Sequence, residues 1–178
     1  MSRWKEERVP RFAVLLRGVN VGGNSLGMAD LVGAVEDLGG RDVRTYLQSG
    51  NVVYTGARAL ADRLAPALAD QLGVRTSVIV RSGKELAAVV AAKPFPAEGK
   101  VVSVTFLAAK ADRKRVAAID AQAYGADEFV VIGAEVFLHT PGGYGRSKLN
   151  NTFWERRLDT TATTRNWNTV VALADLTA

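Results

Sequence analysis

The chain has 178 residues, of which 48% are hydrophobic and 23% are charged, and its formal net charge is +5 at pH 7. It contains no cysteine and a single histidine, His139, which excludes disulfide scaffolds, thiolate metal sites, cysteine nucleophiles and multi-histidine metal centres. The ordinary apolar content excludes a disordered chain. We predict no metal site and no cofactor.

Two features bear on where the protein works. No apolar run approaches the roughly 20 residues that a membrane helix requires, and the charged start, MSRWKEERVPR, lacks the apolar core of a signal peptide. We therefore expect a cytoplasmic protein without membrane contact. The modest positive charge is spread along the chain and favours weak attraction of anions, so a nucleotide or a nucleic acid is a candidate partner.

The first half of the chain alternates strand-like and helix-like patterns. Residues Ser49 and Gly50 separate two runs of strand formers, which is typical of a hairpin. Pro66 interrupts a helical pattern and predicts a kink or a late start of that helix. In chain order we predict strand 11–19, helix 28–38, strands 42–48 and 51–55, helix 57–72 and strand 74–80.

The second half repeats this order after a linking helix. That helix is predicted over 82–92, with Ser82 as its cap and Glu85 three residues on, and Pro94 and Pro96 end it. The remaining predicted elements are strand 101–108, helix 112–121, strands 128–132 and 135–139, helix 150–158, strand 160–164 and helix 166–176.

The order strand, helix, strand, strand, helix, strand is that of the split βαβ unit. We therefore predict an α+β fold made of two tandem ferredoxin-like (α/β-plait) subdomains. The first would span residues 1–81 and the second, with a C-terminal helix, residues 101–178, with the linking helix and a proline-rich turn at 82–100 between them.

Polar and glycine-rich residues concentrate in three stretches: 17–24 (RGVNVGGN), 48–51 (QSGN) and 164–169 (TRNWNT), with a weaker fourth at 144–148 (YGRSK). In a split βαβ sheet the strand order is 4-1-3-2, so the first strand ends beside the turn that precedes the third. We therefore expect the first two stretches to share one water-accessible rim.

The segments RGVNVGGN, RTYLQSGNVV and TRNWNTV, in this order and spacing, resemble an uncharacterised bacterial family, domain of unknown function 1697. The resemblance spans nearly the whole chain. It implies two α/β-plait subdomains in tandem, in agreement with the element order. It implies no established activity, catalytic residue or cofactor.

Our leading hypothesis is a binding module for a phosphate-bearing ligand, either a nucleotide or a nucleic-acid backbone. Arginine and lysine would supply charge, amides would supply donors and acceptors, and glycines would let backbone N–H groups approach the ligand. The candidate residues are Arg17, Asn20, Gly22, Gly23, Asn24, Gln48, Ser49, Asn51, Lys148, Arg165, Asn166 and Asn168.

Two alternatives remain open. An enzyme acting on a small phosphorylated or acyl substrate would use Ser49, Tyr46 or Lys148, and would gather them in a closed pocket. A purely architectural role would instead have the motifs fasten the two subdomains together or form a dimer. Burial of Arg17, Gln48 and Arg165 with mutual hydrogen bonds would favour that second alternative.

Overall fold

The computed structural model describes residues 9–178, so the first eight residues of the predicted first subdomain lie outside the described part. We refer to the elements up to the third helix as the first half. In chain order they are β1 Arg11–Leu16, α1 Met28–Asp37, β2 Arg41–Thr45, β3 Asn51–Thr55, α2 Leu60–Leu72, β4 Val78–Ser82 and α3 Gly83–Ala91.

The second half follows a short connection that contains Pro94 and Pro96. Single 3-10 turns occur at Gly99–Val101 and Tyr144–Arg146. The helices and strands of this half are β5 Val102–Leu107, α4 Arg113–Ala117, β6 Glu128–Ile132, β7 Glu135–His139, α5 Asn151–Leu158, β8 Ala162–Asn166 and α6 Trp167–Thr177. Together the two halves form a mixed α+β fold with two four-stranded sheets and six α-helices in the described residues.

Both sheets have the same strand order, β2-β3-β1-β4 in the first half and β6-β7-β5-β8 in the second. Every neighbouring pair is antiparallel. In the first sheet Leu15 of β1 lies opposite Asn51, the first residue of β3. The end of β1 and the β2–β3 turn therefore meet at one edge, as the predicted strand order requires.

Both faces of the central strands are buried. Successive side chains of a strand point to opposite faces, so Val14 and Leu16 of β1 pack under α1 and α2, whereas Ala13 and Leu15 face the second half. The middle core joins both sheets with α3 and α6; its members include Ala13, Leu15, Val53, Ile79, Leu86, Val104, Phe106, Phe137, Trp167 and Leu173. A third core lies between the second sheet and α5, around the fully buried Trp154.

The predicted cap of α3 is confirmed, and a further cap is found at the start of α6. The Oγ of Ser82 accepts a hydrogen bond from the Glu85 backbone N–H at 3.2 Å, and the Glu85 carboxylate accepts one from the Ser82 N–H at 2.6 Å. The Asn166 side chain accepts a hydrogen bond from the Thr169 N–H at 2.9 Å. These pairs fix the starts of α3 and α6.

Several predicted boundaries are wrong. The strand predicted over 74–80 is β4 at Val78–Ser82, because the Ser77 carbonyl and the Thr76 hydroxyl bond to the backbone of Arg17 instead of continuing the ladder. The helix predicted over 57–72 runs from Leu60 to Leu72 and contains Pro66, so the late start expected at Pro66 does not occur. The helix predicted over 112–121 is only Arg113–Ala117, since the segment offers little apolar surface to hold a longer helix.

The error with the largest consequence concerns the last strand. The sequence predicts it over 160–164, but β8 runs over Ala162–Asn166. Arg165 therefore lies inside a strand and points into the protein, where only 7% of its surface is exposed. Within the polar stretch 164–169, only the residues after Asn166 belong to the helix α6, and Asn166 caps it.

Candidate functional site

The two loops expected to share a rim do meet. The Asn20 side-chain amide donates to the Gln48 carbonyl at 2.6 Å, and the Leu16 N–H donates to the Gly50 carbonyl at 2.8 Å. We call the loop Arg17–Asn24 and the turn Tyr46–Asn51 the rim. Asn20 and Leu47 both adopt a left-handed backbone, with φ of 55° and 58°, so the rim holds non-glycine residues in a costly conformation.

Arg165 reaches from the second half into the rim of the first. Its five N–H groups all meet acceptors, and no acceptor is a carboxylate. Its Nε donates to Asn51 Oδ1 at 2.6 Å. Its Nη1 donates to Thr163 Oγ1 and to the Thr164 carbonyl, each at 2.9 Å. Its Nη2 donates to the carbonyls of Leu16 at 2.9 Å and Ser49 at 3.0 Å.

Asn51, which accepts the hydrogen bond from Arg165 Nε, is itself held in place by further hydrogen bonds. Asn51, fully buried, uses its Nδ2 to donate to the Tyr46 carbonyl at 2.9 Å and to the Ser49 hydroxyl at 2.8 Å. Burial lowers the pKa of Arg165 to about 10, so the guanidinium stays protonated at neutral pH. A buried cation is thus held by neutral dipoles, and those of Leu16, Ser49 and Asn51 come from the opposite half.

A second contact between the halves lies beside the first. The guanidinium of Arg17 donates to both carboxylate oxygens of Glu155 on α5, at 3.1 and 3.2 Å. Nearby, the Tyr144 hydroxyl donates to Thr164 Oγ1 at 3.0 Å, and burial raises the pKa of that tyrosine. The Arg17–Glu155 ion pair therefore joins the end of β1 to α5 across the interface, and the Tyr144–Thr164 hydrogen bond lies within the second half.

The candidate residues divide by exposure. Arg165 and Asn51 are buried, whereas Arg17 and Asn24 are half-buried. The Asn24 side chain donates to the carbonyls of Gly18 and Arg75. Gln48 is exposed, and its bond to Asn20 is made by its backbone rather than its side chain. The other exposed members are Asn20, Gly22, Gly23, Ser49, Lys148, Asn166 and Asn168.

Lys148 lies apart from the rim, in an open groove along α5 of about 590 Å³. We call this the α5 groove; it is lined by Lys148, Asn150, Thr152, Phe153, Arg156 and Arg157. In the described part of the chain, none of its three cations forms an ion pair. A cavity beside Arg11 and Asp42, which Thr177 and Ala178 of the second half also line, lies at the opposite end of β1 from the rim.

Glu155, Arg156, Arg157 and Arg81 take part in these contacts but are not among the residues that the sequence motifs indicate. The helical pattern could have indicated Arg156 and Arg157. Trp154 and Leu158 form an apolar i, i+4 pair, which leaves both arginines on the outer face of the helix. Arg81 carries no comparable signal. It is 6% exposed, and its Nε donates to Glu135 in the second half at 2.8 Å, which depends on contacts far along the chain.

A family model described as a protein of unknown function, DUF1697, matches residues 9–137. The chain belongs to this family. The match covers both loops of the rim and most of the elements that carry the interface between the halves. The description of the family assigns it no activity, so membership leaves the chemistry of the DUF1697 chain to be argued from its own residues.

The fold of the DUF1697 chain is similar to that of a conserved bacterial protein, SP0830 from Streptococcus pneumoniae. The two share 22% sequence identity with a TM-score of 0.74, over 95% of this chain and 99% of the other. No curated protein matches the chain. Within residues 9–178, no helix combines the length and the apolar content needed to cross a bilayer.

Proposed function

We propose that the protein is a binding module for a phosphate-bearing ligand, a nucleotide or a nucleic-acid backbone, and that the ligand meets the α5 groove. Its scaffold, on this proposal, is a tandem pair of ferredoxin-like subdomains at residues 1–81 and 101–178, joined through 82–100. The observation that carries the proposal is the set of three cations in the groove, Lys148, Arg156 and Arg157, without a carboxylate partner among the described residues.

A contrast with four other arginines supports this choice. Arg17, Arg58, Arg81 and Arg115 each contact a carboxylate within 3.3 Å, so their charges are largely compensated. Uncompensated cations gathered in one concave surface raise the local positive potential and attract anions. The α5 groove is therefore the better-placed anion surface.

Two further features of the groove suit such a ligand. Lys148 and Asn150 lie at the N-terminus of α5, where the helix dipole adds positive potential. Phe153 lines the groove with the Arg157 guanidinium 5.5 Å from its ring centre, and an aromatic ring beside cations is the arrangement on which single-stranded bases stack. The openness of the groove favours an extended ligand over a small enclosed substrate.

The candidate residues then take different roles. We propose that Arg17, Asn20, Asn24, Asn51, Arg165 and Asn166 hold the scaffold, because their side chains already bond within the protein. Lys148 would contact the ligand directly. The exposed members Gly22, Gly23, Gln48, Ser49 and Asn168 would add secondary contacts to a longer ligand.

The enzyme alternative finds less support. The Ser49 hydroxyl accepts a hydrogen bond from Asn51 at 2.8 Å, and no base contacts it among the described residues. Tyr46 packs against the middle core, and Lys148 lines an open groove rather than a closed pocket. We therefore propose binding without a chemical step.

The test is a titration of a labelled oligothymidylate, with ATP and inorganic phosphate as small competitors, followed by fluorescence anisotropy at two salt concentrations. We expect a Kd of about 10⁻⁴ to 10⁻⁶ M, typical of contacts to phosphates alone. Replacing Lys148, Arg156 and Arg157 together with alanine is expected to weaken binding at least about tenfold and to reduce the salt slope by about 2, since each phosphate contact on a single strand contributes about 0.7.

A matched control removes the same charge elsewhere. Arg63, Arg75 and Lys84 are exposed at separate positions of the first half, and their joint replacement with alanine is expected to change the affinity much less. Equal weakening by both triple variants would mean that net charge alone attracts the oligonucleotide. Such a result, or no binding of any phosphate compound, would contradict the proposal.

A further inference from the structure

We infer that Arg81 and Arg165 are an equivalent pair of recognition residues through which the two halves of a duplicated chain bind each other. The inference is independent of the proposed ligand. No direct repeat is visible in the amino-acid sequence, so the equivalence rests on strand register and on hydrogen bonds.

The register places both arginines at the same point of their sheets. Arg81 in β4 lies opposite Ala13, the third residue of β1, and Arg165 in β8 lies opposite Val104, the third residue of β5. Each arginine is followed at once by the cap of a helix, Ser82 for α3 and Asn166 for α6. The two strand-to-helix segments are therefore equivalent residue by residue.

The acceptors match as well, and each set belongs to the opposite half. Arg81 donates from Nη2 to the carbonyl of Leu107, the last residue of β5, at 2.8 Å, and from Nε to Glu135, the first residue of β7, at 2.8 Å. Arg165 donates from Nη2 to the carbonyl of Leu16, the last residue of β1, at 2.9 Å, and from Nε to Asn51, the first residue of β3, at 2.6 Å.

A third acceptor completes the correspondence. It is the residue just before β7 or β3: Ala134 accepts from Arg81 Nη2 at 3.2 Å, and Gly50 accepts from Arg165 Nη2 at 3.4 Å. Each arginine thus forms hydrogen bonds with both the last residue of the first strand of the other half and the residues at the hairpin turn of that half. The arrangement is reciprocal, as in a symmetric dimer.

The two contacts differ in their number of hydrogen bonds and in charge. Arg165 also donates to the Ser49 carbonyl and the Thr163 hydroxyl, bonds that Arg81 does not match among the described residues. Glu135 gives Arg81 a carboxylate, whereas Asn51 gives Arg165 a neutral amide. Between the two arginines, α3 and α6 pack so closely that a Cβ on Gly83 would overlap the Thr177 carbonyl oxygen. The shared middle core and these two contacts form an interface that does not depend on the covalent connection.

The experiment cuts that connection in the folded, full-length protein. A protease site is inserted between Pro96 and Ala97, next to exposed proline, and the protein is cleaved after folding and analysed by sedimentation over a dilution series. We expect the cleaved halves to stay together at micromolar concentration. Arg81→Gln and Arg165→Gln are each expected to weaken their association about tenfold or more, as for hydrogen bonds to charged groups.

The matched control is Arg58→Gln, because Arg58 pairs at 2.7 Å with Glu85 of its own half. It is expected to leave the association within about threefold of that of the unsubstituted protein. Arg81→Lys and Arg165→Lys retain the charge without the planar donor fork, and they give the same comparison if a glutamine variant does not fold. Separation of the unsubstituted halves, or weakening by only one of the two arginine positions, would overturn the inference.

Discussion

Replacing Arg165 with methionine is expected to lower the free energy of unfolding by about 3 kcal/mol, because a buried acceptor left without its donor costs about 1–3 kcal/mol and several lose theirs together. Methionine fills much of the volume but donates no hydrogen bond. The carbonyls of Leu16 and Ser49 and the Oδ1 of Asn51 would then stay buried without this donor. Urea denaturation measures the loss directly.

The same change is expected to lower the melting temperature by on the order of 10 °C, given about 2–4 °C per kcal/mol for a chain of this size. Arg156→Met is the matched control: Arg156 is exposed on α5, so the expected change is within about 0.5 kcal/mol. A loss below about 1 kcal/mol for Arg165→Met, less than the cost of a single unsatisfied buried acceptor, would show that the interface does not depend on this arginine.

The second large effect is expected for Gly50→Ala, at about 3 kcal/mol of lost stability, from a left-handed backbone that disfavours a side chain and from overpacking. Gly50 has a φ of 78°, and a Cβ there would overlap Val19 Cγ2 and lie 2.9 Å from Leu16 Cβ. Both neighbours belong to the first core and have little room to move. Thermal and urea unfolding of the variant measure the change.

Gly22→Ala separates the two causes. Gly22 also has a positive φ, 57°, but a Cβ added there would meet no atom within 4 Å. Only the free-energy cost of a side chain in a left-handed backbone applies, so the expected loss of stability is about 1 kcal/mol. Similar losses for the two variants would mean that the hairpin turn can shift away from Val19 and Leu16.

The sequence predicts the element order well because the local signals are strong. The apolar run of β1, the Ser49-Gly50 turn before β3 and the capping residues Ser82 and Glu85 each specify structure through near neighbours. From that order follows the strand arrangement that brings the two rim loops together. The meeting of the two rim loops can therefore be predicted from the sequence alone.

The interface between the halves is harder to predict from the sequence, because it depends on contacts between residues far apart in the chain. The sequence pattern favours Arg165 as a ligand residue in a loop, but its acceptors lie 114 or more positions away for Asn51, Leu16 and Ser49. Nothing local distinguishes a charge that will be buried by the opposite half from one that stays in solvent. The same reason explains why the sequence gives no sign of Arg81.

The α5 groove can be predicted from the sequence only in part. The sequence motif indicates Lys148 but not Arg156 and Arg157, although the buried Trp154 and Leu158 define the inner face of their helix. Assigning faces to the predicted helix 150–158 places both arginines outward. Whether a charged face is free or paired, however, requires knowledge of what packs beside it.

The central claim is that the rim and Arg165 hold the two halves together while the α5 groove receives the ligand. Amide chemical-shift mapping of the labelled protein during titration with oligothymidylate tests it most directly. We expect the largest shifts at residues 148–157, with smaller changes at Gly22, Gly23 and Gln48. Largest shifts in the rim, with residues 148–157 unchanged, would contradict the account.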